Sequence, residues 1–142
     1  GTKVGALFGE ALVITNDKYK KDFRYMEKQR GAMLAKGRLL GVQFAALFED
    51  DLYERIGKHA ISLADKLRKE IKRLEIPLYQ ENTTNQIFVI LEDRLIDALS
   101  RSFVLSFTER VDDKHSIMRI CTSWATKEEY VDQLIEALEK YE

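Results

Sequence analysis

The sequence predicts an α+β fold on three observations: a long apolar stripe at helical spacing from Leu52 to Leu74, a lone proline at Pro77, and short strand-like runs mixed with helical ones beyond it. Its first residues read as α/β, a short apolar run leading into helices. Ala11 to Thr15, bounded by Gly9 and by Asn16-Asp17, has the form of a buried strand ending in a turn. Asn16 or Asp17 can cap the helix that follows, whose apolar contacts are Tyr19, Phe23, Tyr25 and Met26 before Arg30-Gly31 interrupts it. From Met33 to Phe48 small and large apolar residues alternate around much of the circumference, the pattern of a helix buried centrally or at a subunit contact. Beyond Glu49-Asp50-Asp51, Leu52, Ile56, Ala60, Leu63, Leu67, Ile71 and Leu74 recur every three or four residues, which predicts one amphipathic helix. Gly57 within it costs only about 1 kcal/mol relative to alanine.

Ile76-Pro77 ends that helix and opens a small α+β unit. Gln86 to Leu91 reads as a strand, Asp93 to Ser100 as a short helix, and Phe103 to Thr108 and Ser116 to Ser123 as strands close enough to form a hairpin across Val111 to Lys114. Thr126-Lys127-Glu128-Glu129 has capping-box spacing, and Val131, Leu134, Ile135 and Leu138 give the closing helix one apolar face.

The 142 residues need be no more than one compact domain, and a formal net charge of -1 removes any global electrostatic case for nucleic acid or an anionic membrane. Cys121 is the only cysteine, so no intrachain disulfide can form and a reducing cytoplasm is the simplest compartment. The apolar runs fall far short of the roughly 20 residues that cross a bilayer. The sequence has no initiator Met and its apolar pattern begins almost at once, which reads as a fragment or a processed product.

Lys3, in Gly1-Thr2-Lys3-Val4-Gly5, is a lone amine in a glycine-framed turn where another group can approach the backbone closely. By itself such a lysine is more often a solvated turn residue. Arg119 shares one strand face with Ile117 and Cys121, opposite Met118 and Ile120, and a guanidinium among apolar neighbours needs a partner. His59 falls between apolar residues of the long helix and reads as a boundary residue; His115 sits in a turn; neither has metal-ligand spacing with Cys121. Lys66, Arg68, Lys69, Lys72 and Arg73 interleave with Asp65, Glu70 and Glu75 and read as a solvated, ion-paired face. Trp124 reads as a packing anchor.

Gly-Thr-Lys-Val-Gly at residues 1–5, then Gly9-Glu10-Ala11, then Arg30-Gly31 leading into Ala35-Lys36-Gly37-Arg38, resemble threonine aldolase and related β-eliminating lyases, and the resemblance runs through Met118-Arg119-Ile120 to the last helix. These are pyridoxal-phosphate enzymes of the aspartate-aminotransferase fold type. The resemblance implies that residues 1–48 end the cofactor-binding large domain, residues 49–75 form a connecting helix, and residues 76–142 form a small C-terminal domain with a mostly antiparallel sheet packed by helices. It further implies that Lys3 holds pyridoxal 5'-phosphate as a Schiff base, with Thr2 beside it at the cofactor, that Arg38 serves the cofactor phosphate, and that Arg119 binds the substrate α-carboxylate. The implied reaction is Cα–Cβ cleavage of threonine to glycine and acetaldehyde, in a homo-oligomer, dimer or tetramer. The first half of such an enzyme would then precede Gly1. The 142-residue chain alone is expected to be inactive and, with apolar surface bared along Ala11 to Thr15 and the helix after it, to self-associate. The alternatives are another pyridoxal-phosphate β-eliminating lyase, or a non-enzymatic α+β domain that binds a protein through the helix Met33 to Phe48.

Overall fold

The computed structural model describes residues 1–141. It comprises two compact units, Gly1–Arg55 and Ile56–Glu142. The predicted stripe is realised as α3 (Leu52–Arg73), and in the C-terminal unit its Ala60, Leu63, Ala64, Leu67 and Ile71 are buried. The sheet consists of β1 (Gln86–Glu92), β2 (Ser106–Arg110) and β3 (His115–Cys121), antiparallel throughout and in the order β1-β3-β2. Register follows from which face is buried. Ile87 lies opposite Ile120 and Val89 opposite Met118, and these four join Leu67, Ile71 and Leu134 in one core. Phe88 opposite Arg119 and Ile90 opposite Ile117 occupy the other face. Burying each such aliphatic side chain is worth about 1.5–3 kcal/mol. The outer edge of β1 is covered by Pro77 to Tyr79, through Tyr79 N–H to Phe88 O at 2.9 Å and Ile90 N–H to Pro77 O at 2.9 Å.

Two helices complete this unit, α4 (Asp93–Leu99) and α5 (Glu128–Glu139). Strand β2 starts three residues later than the apolar pattern predicts, because the Phe103 N–H bonds Leu99 O at 2.8 Å and continues the end of α4 instead. The predicted capping box is not made. The Thr126 hydroxyl accepts from the Ser123 N–H at 2.8 Å, and Lys127 precedes α5 with no side-chain cap. The basic run on α3 is ion-paired as expected, Arg73 with Glu70 and Glu139, Lys66 with Glu128 and Asp132. Arg68 departs from the expected solvated face: it is 8% exposed and is held by Asp65 and by Thr84 O. Trp124 is half exposed and does not anchor a core. His59 has the structural role expected of a boundary residue, its Nε2 lying 2.7 Å from Thr126 O.

The β2–β3 hairpin is tied to α4 by charge. Arg110 donates to both carboxylate oxygens of Asp93, at 2.6 and 2.8 Å, and Asp112 accepts from the Lys114 and His115 N–H groups across the turn. Bonding to Arg110 holds the Asp93 carboxyl below its ordinary value of 3.8, and the Lys114 N–H, followed by His115, does the same for Asp112. A depressed folded-state value means that the proton binds the unfolded chain more readily, so this stabilisation is complete above about pH 4 and is lost as the pH falls through the lower folded values. The melting temperature is therefore expected to drop below pH 4, and to drop less steeply in Asp93→Asn. Parallel acid limbs in thermal scans of the two proteins would contradict this role.

In the N-terminal unit, α1 (Phe23–Gln29) follows a 3-10 turn at Asp17–Tyr19 whose cap is Asn16, its side chain accepting from the Lys18 N–H at 3.0 Å. Helix α2 spans Arg38–Phe48, five residues shorter at its start than predicted, because Ala35 to Gly37 form a turn. The predicted strand at Ala11 to Thr15 is absent. Those residues carry no ladder, and Leu12 and Val13 are 70% and 81% exposed. A strand needs a partner for its backbone, and no described segment pairs with this one. Only Ala6 and Leu47 are buried apolar residues of the described unit, while Leu39, Val42 and Phe48 of α2 are exposed. The apolar surface expected to be bare is bare. Among the described residues no helix is long and apolar enough to cross a membrane.

Candidate functional site

Lys3 lies in a single 3-10 turn, Thr2–Val4, closed by the Val4 and Ala6 N–H groups, which both donate to Gly1 O at 3.1 Å. The turn ends at Gly5 with φ 99, a left-handed conformation that only glycine adopts at no steric cost. The lysine therefore sits at the apex of a sharp turn, as its glycine frame predicts. Its side chain is exposed, and among the described residues it has no hydrogen-bond or ion-pair partner. Thr2, also exposed, flanks it in the same turn.

This turn rests on α2. Gly9 lies so close to the Leu40 side chain that a Cβ on the glycine would collide with it, and Phe44 is the side chain beside Gly1. Between them on the helix, the Gln43 side chain bonds Leu7 and Phe8: its Oε1 accepts from the Leu7 N–H at 2.7 Å and the Phe8 N–H at 3.4 Å, and its Nε2 donates to Phe8 O at 3.3 Å. Sequence reasoning passed over Gln43. The signal was present, since it is the one polar side chain between Arg38 and Glu49.

Arg38 is the first residue of the same helix. Gly37 precedes it and offers no side-chain cap, and the guanidinium is exposed with no partner among the described residues. A cation at an uncapped helix start suits an anion, because the first N–H groups and the helix dipole carry positive partial charge. The free amine and the uncapped helix start both belong to the unit Gly1–Arg55. These residue types fit pyridoxal phosphate, whose aldehyde needs an amine and whose phosphate needs N–H donors and positive charge.

Arg119 lies at the middle of β3, the central strand, with Phe88 of β1 opposite on one side and Ser106 of β2 on the other. It alternates as predicted, away from the core face occupied by Met118 and Ile120. The residue is half-buried, and its Nε is a buried donor with no hydrogen-bond partner. Native structures leave few such donors unmet, and one left unmet costs about 1–3 kcal/mol. The acceptor that Arg119 lacks among the described residues is the kind an α-carboxylate supplies. Among those residues no cluster of three His, Cys, Asp or Glu side chains could hold a metal ion.

No protein-family model matches the sequence, and no curated protein matches it either. A solved structure described as an initial structural analysis of Leishmania major threonine aldolase matches with a TM-score of 0.91 and 41% sequence identity, over 99% of this chain and 41% of that one. A Sphingomonas wittichii serine palmitoyltransferase matches more distantly, with a TM-score of 0.49 and 17% identity over 58% of this chain and 23% of that one, and carries no weight. The chain spans well under half the length of its threonine aldolase match. In sequence and in fold alike, nearly the whole of this chain is similar to part of a threonine aldolase.

Proposed function

We propose that the full-length protein containing this chain is a pyridoxal-phosphate-dependent aldolase that cleaves the Cα–Cβ bond of a β-hydroxy amino acid, threonine being the simplest. The observation that carries this reading is the unmet Nε donor of Arg119 on a chain 41% identical to a threonine aldolase. Pyridoxal phosphate, when bound, supplies a sink for the electron pair released as that bond breaks.

The roles of this chain's residues follow from their chemistry. Lys3 would hold the cofactor covalently through Nζ. Thr2, next to it in the turn, lies at the cofactor. Arg38, with the first N–H groups of α2, holds the phosphate through charge-assisted bonds. Arg119 takes the substrate carboxylate through two parallel N–H bonds, which fixes the orientation of Cα and Cβ. In the overall reaction the Cβ hydroxyl gives up its proton as an aldehyde forms, and Cα gains one to become glycine. The exposed apolar side chains of α2 support assembly as a homo-oligomer.

Full-length protein supplied with pyridoxal phosphate and threonine is expected to release glycine and acetaldehyde in equal amounts. Release of ammonia and an oxoacid instead would assign the chain to a β-eliminating relative. No turnover with any β-hydroxy amino acid would leave the exposed face of α2 as a protein-binding surface and remove the enzymatic reading.

A further inference from the structure

A glutamine amide has two donors and two acceptor lone pairs. Gln43 places all four on backbone groups: beyond its three bonds to Leu7 and Phe8, its Nε2 donates to Leu39 O at 2.9 Å. Three of the four bonds reach across about 35 residues of sequence to the segment just after Lys3. They do for Leu7 and Phe8 what a neighbouring strand would do, meeting N–H and C=O groups that have no ladder. The pattern also fixes which amide atom points where. Reversed, the NH2 would face two N–H donors and the oxygen two carbonyls, so the arrangement requires a side chain with an acceptor at one corner and donors at the other.

Lys3 is thus held from both sides. Upstream, Gly1 O closes the turn; downstream, Gln43 pins Leu7 and Phe8 to the middle of the helix whose first residue is Arg38. Freeing that segment would let the turn swing on its glycines, because Gly5 and Gly9 both have positive φ. Exposed turns otherwise sample a wide range of geometry, whereas covalent capture of a cofactor needs an amine held near one position.

We propose that Gln43 is a positioning residue for the cofactor-binding reaction, acting on Lys3 through the backbone of Leu7 and Phe8 and setting its placement relative to the start of α2. This rests on the reading of Lys3 as the cofactor lysine. Gln43→Glu is the sharpest variant, since it keeps the shape and the acceptors yet loses both donors, so that carboxylate oxygens face Phe8 O and Leu39 O. Gln43→Met removes every bond while keeping the length.

The test uses the full-length protein loaded with pyridoxal phosphate and reads three quantities: amide hydrogen exchange across residues 2–9, retention of the cofactor on dilution, and the pH dependence of the bound cofactor's absorbance. Both variants are expected to speed exchange in that segment by about ten-fold or more, to weaken cofactor retention by a similar factor, and to shift the pH midpoint of the absorbance, while exchange in β1 and β3 stays as in wild type. Faster exchange with unchanged retention and midpoint would make Gln43 a structural tie only and overturn the proposal. Unchanged exchange would overturn the clamp itself. Should wild type fail to retain the cofactor at Lys3 while Leu7 and Phe8 remain protected, the reading of Lys3 falls and the positioning role falls with it, although the clamp stands. If Gln43→Met does not fold, the isosteric Gln43→Glu decides.

Discussion

Replacing Lys3 by alanine in the full-length protein is expected to lower glycine formation from threonine by at least about 10³-fold and to let the cofactor be removed by dialysis. Covalent and proton-transfer roles of a single side chain are worth roughly 10²–10⁴ in rate, and a lysine that anchors the cofactor contributes to both. Arginine should not rescue, because a guanidinium keeps its proton in proteins and cannot act as a nucleophilic amine. Loss of folding is not the cause expected. Lys3 is exposed and unpartnered among the described residues, and substitutions at such positions usually change stability by less than about 0.5 kcal/mol. A Lys3→Ala protein that keeps more than a tenth of wild-type turnover would remove this residue from the chemistry.

Arg119→Met is expected to impair use of the substrate while sparing the cofactor. Hydrogen bonds to a charged group are worth about 1.5–3 kcal/mol each, so losing a paired contact to the carboxylate is expected to cut kcat/KM by on the order of 10²-fold or more. Cofactor retention should hardly change. The ligand-free protein is expected to be as stable as wild type or more so, since the variant removes a buried Nε that has no partner and leaves an apolar side chain beside Phe88. Arg119→Lys should recover only part of the activity, because an ammonium cannot offer two parallel bonds. A variant that loses stability and cofactor together would show Arg119 to be a structural residue of the sheet.

Much of this was legible in the sequence wherever a pattern has a local cause. The stripe from Leu52 to Leu74 specifies α3 because apolar residues recur at helical spacing, and Leu63, Leu67, Ile71 and Leu74 enter one core; β1 and β3 follow from alternation that pairs Ile87 with Ile120 and Val89 with Met118. The turn at Lys3 was legible in Gly5, and the face of Arg119 in the alternation of Ile117 to Cys121. The misses have non-local causes. Ala11 to Thr15 has the composition of a buried strand, but composition cannot supply the neighbour that a strand requires, and here no described segment does. Thr126 and Glu129 have capping-box spacing, yet the Thr126 hydroxyl is taken by Ser123 from the preceding loop. The unmet donor of Arg119 depends on Phe88 and Ser106, placed beside it by pairing across the sheet. The grip of Gln43 on Leu7 depends on a chain reversal that no local window contains.

Most directly, the central claim is tested by borohydride reduction of the full-length protein with its cofactor bound, followed by mass mapping of the peptides. A pyridoxyl group is expected on the Nζ of Lys3 and is expected to be lost in Lys3→Ala. A pyridoxyl group on another lysine, with Lys3 unmodified, would contradict it.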